Sequence, residues 1–120
     1  MANSVVWIDI PALDLDRAIE FYGAVLGVEL ARMDTPELKL GFLPGERGDV
    51  SGCICLADEI KPSDQGPLIY LNCDGRLDEA SAAVEPAGGK VLQPPHPIGP
   101  HGYRAVILDS EGNRIALHSR

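Results

Sequence analysis

Trp7 and Asp9 stand two residues apart in the run Val5-Val6-Trp7-Ile8-Asp9-Ile10, so in a strand an indole and a carboxylate share one face. That pair suits a planar or cationic organic ligand, the ring giving a stacking wall and the carboxylate a charge partner. Tyr70 and Asn72 repeat the spacing in Leu68-Ile69-Tyr70-Leu71-Asn72-Cys73 and add a hydroxyl and an amide on the face that Leu68 shares. Arg104 follows a proline-rich stretch, where its guanidinium can bind a ligand carboxylate or pair with a surface acid; the surface pair is the plainer expectation in an acidic chain. His118 lies at the end of the last strand pattern, and His96 and His101 are five residues apart without a zinc motif. Cys53 and Cys55 share a strand face but have no base beside them in sequence, so packing as small apolar side chains outranks nucleophilic chemistry. Each polar group also has an ordinary structural use, since most buried polar atoms bond to nearby backbone.

Composition narrows the classes. Eighteen acidic and ten basic residues give a net charge of −8, which repels nucleic acid and anionic membranes and favours a cationic small molecule. Three cysteines, an odd number in no zinc-like spacing, predict reduced thiols and a cytoplasmic setting. No apolar run approaches membrane-spanning length, and the N-terminus shows no signal-peptide pattern. A nucleophile elbow, a phosphate-binding glycine loop and a dinucleotide fingerprint are all missing.

The elements that must position these residues are written twice. Leu15-Asp16-Arg17-Ala18 opens a helical pattern ending at Gly27 and recurs at an offset of 62 (77 − 15) as Leu77-Asp78-Glu79-Ala80, opening one that runs to Gly89. Val5 to Ile10 reads as a strand with Val6, Ile8 and Ile10 toward apolar packing, ended by Pro11. Asp14 is the expected N-cap, and Leu15, Ala18, Ile19, Tyr22, Val25 and Leu26 form the buried stripe. Strands are predicted over Glu29 to Met33, Leu38 to Leu43 and Gly52 to Ala57, divided by Thr35-Pro36 and a Pro44 to Gly48 turn cluster. In the second half the expectations are a strand over Leu68 to Cys73, a helix over Leu77 to Glu85 and a short strand at Lys90-Val91-Leu92. Strands over Tyr103 to Leu108 and Asn113 to His118 follow, joined by the turn Asp109-Ser110-Glu111-Gly112. Gln93 to Gly102, with four prolines, is expected to be a surface loop.

Asp14-Leu15-Asp16-Arg17-Ala18-Ile19-Glu20-Phe21-Tyr22 with Leu26-Gly27, then Ala87-Gly88-Gly89-Lys90-Val91 and Asp109-Ser110-Glu111-Gly112-Asn113-Arg114-Ile115, resemble the vicinal oxygen chelate superfamily of glyoxalases, bleomycin-resistance proteins and extradiol dioxygenases. The opening and closing segments resemble a small bacterial subgroup of it. The resemblance implies an α+β fold: one domain over 1–120 of two tandem βαβββ modules, about 1–58 and about 66–120, whose curved sheets make a cleft or open barrel with the helices outside. It also implies a homodimer, and a divalent ion held in metal-dependent members by one His or Glu from each of four strands. By register those positions fall on Trp7, Cys55, Leu68 and Ala116, which do not supply the oxygen and nitrogen donors such an ion needs. Lactoylglutathione lyase and extradiol dioxygenase activity are therefore not expected.

The sequence thus predicts a metal-independent small-molecule-binding protein whose ligand lies between the modules, against Trp7, Asp9, Cys55, Leu68, Tyr70, Asn72, Arg104 and His118. No catalytic residue, metal or cofactor is assigned. The expected partners are an aromatic or cationic organic ligand and a second copy of the chain, with neither nucleic acid nor membrane. Two alternatives remain: a lyase, isomerase or dioxygenase with a metal relocated to Asp9, Tyr70 and His118, and a ligand-free dimeric accessory module.

Overall fold

The computed structural model describes residues 3–46, 48–56 and 58–120. The first module runs β1 (Trp7–Pro11), α1 (Leu15–Leu26), β2 (Arg32–Asp34), β3 (Lys39–Phe42) and β4 (Ser51–Cys55). The second repeats the order with β5 (Ile69–Asn72), α2 (Leu77–Val84), β6 (Lys90–Pro97), β7 (Tyr103–Leu108) and β8 (Arg114–Ser119). Two four-stranded mixed sheets result, ordered β1-β4-β3-β2 and β5-β8-β7-β6, each with one parallel pair, β1 with β4 and β5 with β8. The α+β class and the doubled βαβββ order are as expected.

The backbone register refines the repeat. Asp9 pairs with Cys53 and Pro11 with Cys55, while Tyr70 pairs with Ala116 and Asn72 with His118. One more bond closes each pair, Ala12 N to Cys55 O at 2.9 Å and Cys73 N to His118 O at 2.7 Å. Asp9 therefore matches Tyr70, an offset of 61 (70 − 9), and Cys53 matches Ala116, an offset of 63 (116 − 53). The helical offset of 62 does not extend into the strands. As a correction, Cys55 is the counterpart of His118; the residue matching Ala116 is Cys53.

Helix α1 forms where expected. The Asp14 carboxylate accepts from Arg17 N at 3.1 Å, and Gly27 takes the left-handed conformation at φ 71° that ends the helix. Its buried face is Leu15, Ala18, Phe21, Tyr22 and Val25. Phe21 was outside the predicted stripe; its ring meets Tyr22 edge-on at 5.1 Å and presses on Gly89, where any Cβ would lie 2.6 Å from the Phe21 ring. Helix α2 turns Leu77, Ala80 and Val84 inward and packs against α1. Arg76, just before α2, donates from Nη1 to the Val25 carbonyl at 2.6 Å, putting a cation at the carbonyl end of α1. One apolar core joins both helices to Ile10 and Ile54 of the first sheet and to Ala105, Ile107, Ile115 and Leu117 of the second. Each fully buried Leu, Ile or Phe there contributes roughly 1.5–3 kcal/mol.

A buried polar joint ties the modules together. Glu111, in the β7–β8 turn, accepts from Leu13 N and Asp14 N, both at 2.8 Å, and grips Arg17 through two bonds of 2.8 and 2.9 Å. Tyr22 Oη donates to Asp109 Oδ2 at 2.5 Å, and Asn113 Nδ2 donates to the Pro11 carbonyl at 2.8 Å. Residues that read as a simple turn in the sequence thus cap the start of α1 from the other module.

Several strand limits differ from expectation. Val5 and Val6 precede β1, whose pairing with β4 begins at Trp7, and Val6 is 73% exposed. Strand β2 begins at Arg32, paired with Gly41, and β4 begins at Ser51; the predicted end of β4 at Ala57 lies outside the described residues. The largest correction is at Gln93 to Gly102. Strand β6 continues through Pro97, paired with β7 across two register irregularities, before a single 3-10 turn at Gly99–His101. It is the outermost strand of its sheet, where prolines need supply no inward-directed N–H.

Candidate functional site

Each sheet has one face on the core and one turned away from the helices, and both outer faces carry a polar cluster. On the first, Trp7 Nε1 donates to Asp9 Oδ1 at 2.9 Å and Cys53 Sγ donates to the same oxygen at 3.3 Å. Phe42 meets the Trp7 ring edge-on at 6.4 Å. Burial, and then the Asp9 hydrogen bond and charge, push the Cys53 thiol up to about 12. Cys55 is raised too, by burial and by Asp9. Neither thiol is activated as a nucleophile at neutral pH.

On the second face Arg104 organises the groups around it. Its Nη1 donates to Tyr70 Oη at 2.5 Å, its Nε donates to His96 Nε2 at 3.2 Å, and its guanidinium carbon lies 5.9 Å from the Tyr70 ring centre. His96 Nδ1 lies 2.8 Å from the Pro94 carbonyl, to which it can only donate, leaving Nε2 as the acceptor Arg104 needs. His118 stands edge-on to Tyr70 at 6.1 Å and donates from Nε2 to the His101 carbonyl at 2.7 Å. The expected surface acid is not there: among the described residues the ion pairs are Arg17–Glu111, Arg32–Asp16, Lys39–Asp34 and Arg120–Asp74, and Arg104 is in none of them. A groove of about 700 Å³ passes between the modules, with Ile8, Val50 and Ser51 on one side and Tyr70, Leu71 and Asn72 on the other.

The eight expected site residues divide between these places. Trp7, Asp9 and Cys55 belong to the first outer face; Tyr70, Asn72, Arg104 and His118 belong to the second. Leu68 is half-buried just before β5. Asn72 turns its amide oxygen to Asp74 N at 2.9 Å, a local backbone bond. The relocated metal set of Asp9, Tyr70 and His118 is split between two sheets. Sequence reasoning weighed Cys53 and His96 but left both out of the site. The parity of β4 signals Cys53, whereas nothing local signals that β6 carries His96 opposite Arg104.

The family's metal positions do not fit a divalent ion. With the register corrected they are Trp7, Cys53, Leu68 and Ala116, one thiol and three side chains without a donor for a hard or borderline cation. No step of any reaction is derived through such an ion.

Two βαβββ units joined through their helices, with polar clusters on the outer sheet faces, define the architecture of the glyoxalase and bleomycin-resistance class. The glyoxalase/bleomycin resistance protein/dioxygenase superfamily profile matches residues 4–117, and the chain belongs to that superfamily. A glyoxylase-like domain-containing protein of Didymella fabae is 33% identical over 119 residues, covering 94% of this chain and 91% of its own. A glyoxalase/bleomycin resistance protein from Albidiferax ferrireducens T118 superposes with a TM-score of 0.73 at 20% identity, covering 98% of this chain and 99% of its own. The fosfomycin resistance protein FosX of Listeria monocytogenes superposes with a TM-score of 0.69 at 16% identity, over 100% of this chain and 93% of its own. At such identities these structures share the fold with this chain and nothing finer. Among the described residues no helix is long and apolar enough to cross a membrane.

Proposed function

We propose that this protein binds a small organic anion on the outer face of its second sheet, without a metal at the superfamily's four positions. The observation that carries the reading is the Arg104 guanidinium. In a chain of net charge −8 it has no carboxylate partner among the described residues, and it is held instead by the neutral Tyr70 hydroxyl and His96 ring. Neutral partners fix the fork without spending its charge, which is the arrangement a carboxylate or phosphonate receptor needs. Tyr70 supplies a stacking wall and is the residue of this cluster that also lines the groove between the modules, which has the volume of a small-ligand site. The charge favoured for the ligand is thus opposite to that suggested by overall composition, because one fixed cation at contact outweighs dispersed surface charge screened by salt.

The reading includes a homodimer. Trp7 and Tyr70 are each 47% exposed, and each makes its aromatic contact within its own sheet. The two outer faces do not cover one another in one chain, and a second copy would close the Trp7 face over the Arg104 face. Sequestration of an anionic drug or metabolite fits such a receptor. Thermal-shift measurements with matched aromatic carboxylates, phosphonates and amines test it: the anions should raise Tm in a saturable way and the amines should not. Stabilisation by the amines alone would refute it.

A further inference from the structure

Away from Arg104, the described residues bring together one group of metal donors, two soft sulfurs and a carboxylate. The ligating atoms of Asp9, Cys53 and Cys55 all lie within 4.8 Å of one another. Alternation along β4 puts both thiols on one side, and parallel pairing of Asp9 with Cys53 and of Pro11 with Cys55 sets the carboxylate beside them. The carboxylate is already oriented. Trp7 Nε1 and Cys53 Sγ both bond Oδ1, while Oδ2 has no hydrogen-bond partner among the described residues. The Trp7–Phe42 ring pair stands on the same outer face, and Asp9 is solvent-exposed, so an ion can enter from that side. The third cysteine, Cys73, is buried in the core among the helices.

We propose that Asp9, Cys53 and Cys55 form a binding site for a thiophilic divalent cation, of the zinc or cadmium kind, held entirely by the first sheet. Three donors this close can contract onto one ion at about 2.3 Å for sulfur and about 2.0–2.2 Å for oxygen, leaving a fourth tetrahedral position open. Two sulfur ligands select zinc or cadmium over magnesium and calcium, which require oxygen. On binding, each thiol gives its proton to solvent as the metal–sulfur bond forms. Trp7 acts as a positioning residue, its N–H holding the carboxylate as outer-shell partners commonly do. The site shares Cys53 with the superfamily's four positions but not their arrangement of one ligand per strand across four strands, because two ligands come from β4, one from β1, and none from the second module. It does not depend on the reading of Arg104.

Titration of the reduced, metal-free chain with cadmium tests the site through the thiolate-to-cadmium absorption band in the ultraviolet. The band should grow and saturate at one ion per chain, persist in Cys73→Ala, and be lost in Cys55→Ala. Asp9→Asn, an isosteric change at an exposed position, should weaken binding with the circular dichroism of the fold unchanged, and Trp7→Phe should weaken it about ten-fold. Absence of the band, or a band that survives in Cys55→Ala, would overturn the proposal. Because the readout is the metal–sulfur bond itself, that failure leaves the organic-anion reading standing, and failure of organic-anion binding leaves this one standing.

Discussion

Glu111 shows how one residue can carry much of a joint. Burial opposes its charge, yet hydrogen bonds from Arg17, Asp14 N, Ser110 and Leu13 N outweigh that cost and hold its carboxyl at about 2, below the ordinary 4.5. A carboxylate depressed in the folded state contributes stability that is complete above its ordinary value and lost as pH falls from about 4.5 toward about 2. Glu111→Gln should therefore destabilise the protein by about 2–3 kcal/mol in urea unfolding at pH 7, with the gap to wild type closing across that acid window. A gap independent of pH would show that the charge is not the source. Tyr22→Phe should cost about 1–2 kcal/mol, since it leaves Asp109 Oδ2 without its buried hydroxyl donor. At this scale the sequence was half legible. Trp7, Asp9, Tyr70 and Arg104 could be singled out by type and strand parity, but the partners of Arg104 and Glu111 are fixed by contacts between elements distant in sequence.

Among the elements, α1 was the most legible, because its N-cap, apolar period and terminal glycine agree. Asp14→Ala should cost about 1 kcal/mol in thermal or urea unfolding by freeing the Arg17 N–H, and a neutral result would contradict the cap. Strand β4 carries a stricter demand. A Cβ at Gly52 would collide with the Ile8 carbonyl oxygen of the parallel neighbour, so Gly52→Ala should open the β1–β4 pair and lower Tm, with lost amide protection in both strands. Strand β6 was misread because proline density is evidence against a strand only where its backbone N–H must be donated. The edge position that removes this demand depends on sheet order, which the local sequence does not encode. That error hid the pairing of His96 with Arg104, which exists only because β6 runs as a strand beside β7.

For the whole molecule, the doubled pattern made the fold legible, while the relation between the two outer faces was not. Arrangement of the faces is tested by mixing subunits. If Trp7 of one chain closes over Arg104 of the next, hybrids of Trp7→Ala and Arg104→Ala protomers contain one intact site and one doubly altered site, so mixing restores ligand binding that each variant lacks. If each chain closes on itself, mixing restores nothing. The proposed role of Arg104 as an anion receptor is decided by isothermal titration of the most stabilising organic anion against wild type, Arg104→Ala and Arg104→Lys. Affinity should be about 10- to 100-fold weaker in Arg104→Ala, only partly rescued by lysine, which lacks the planar fork, and unchanged in wild type by a chelator. Equal affinity in wild type and Arg104→Ala would contradict that role.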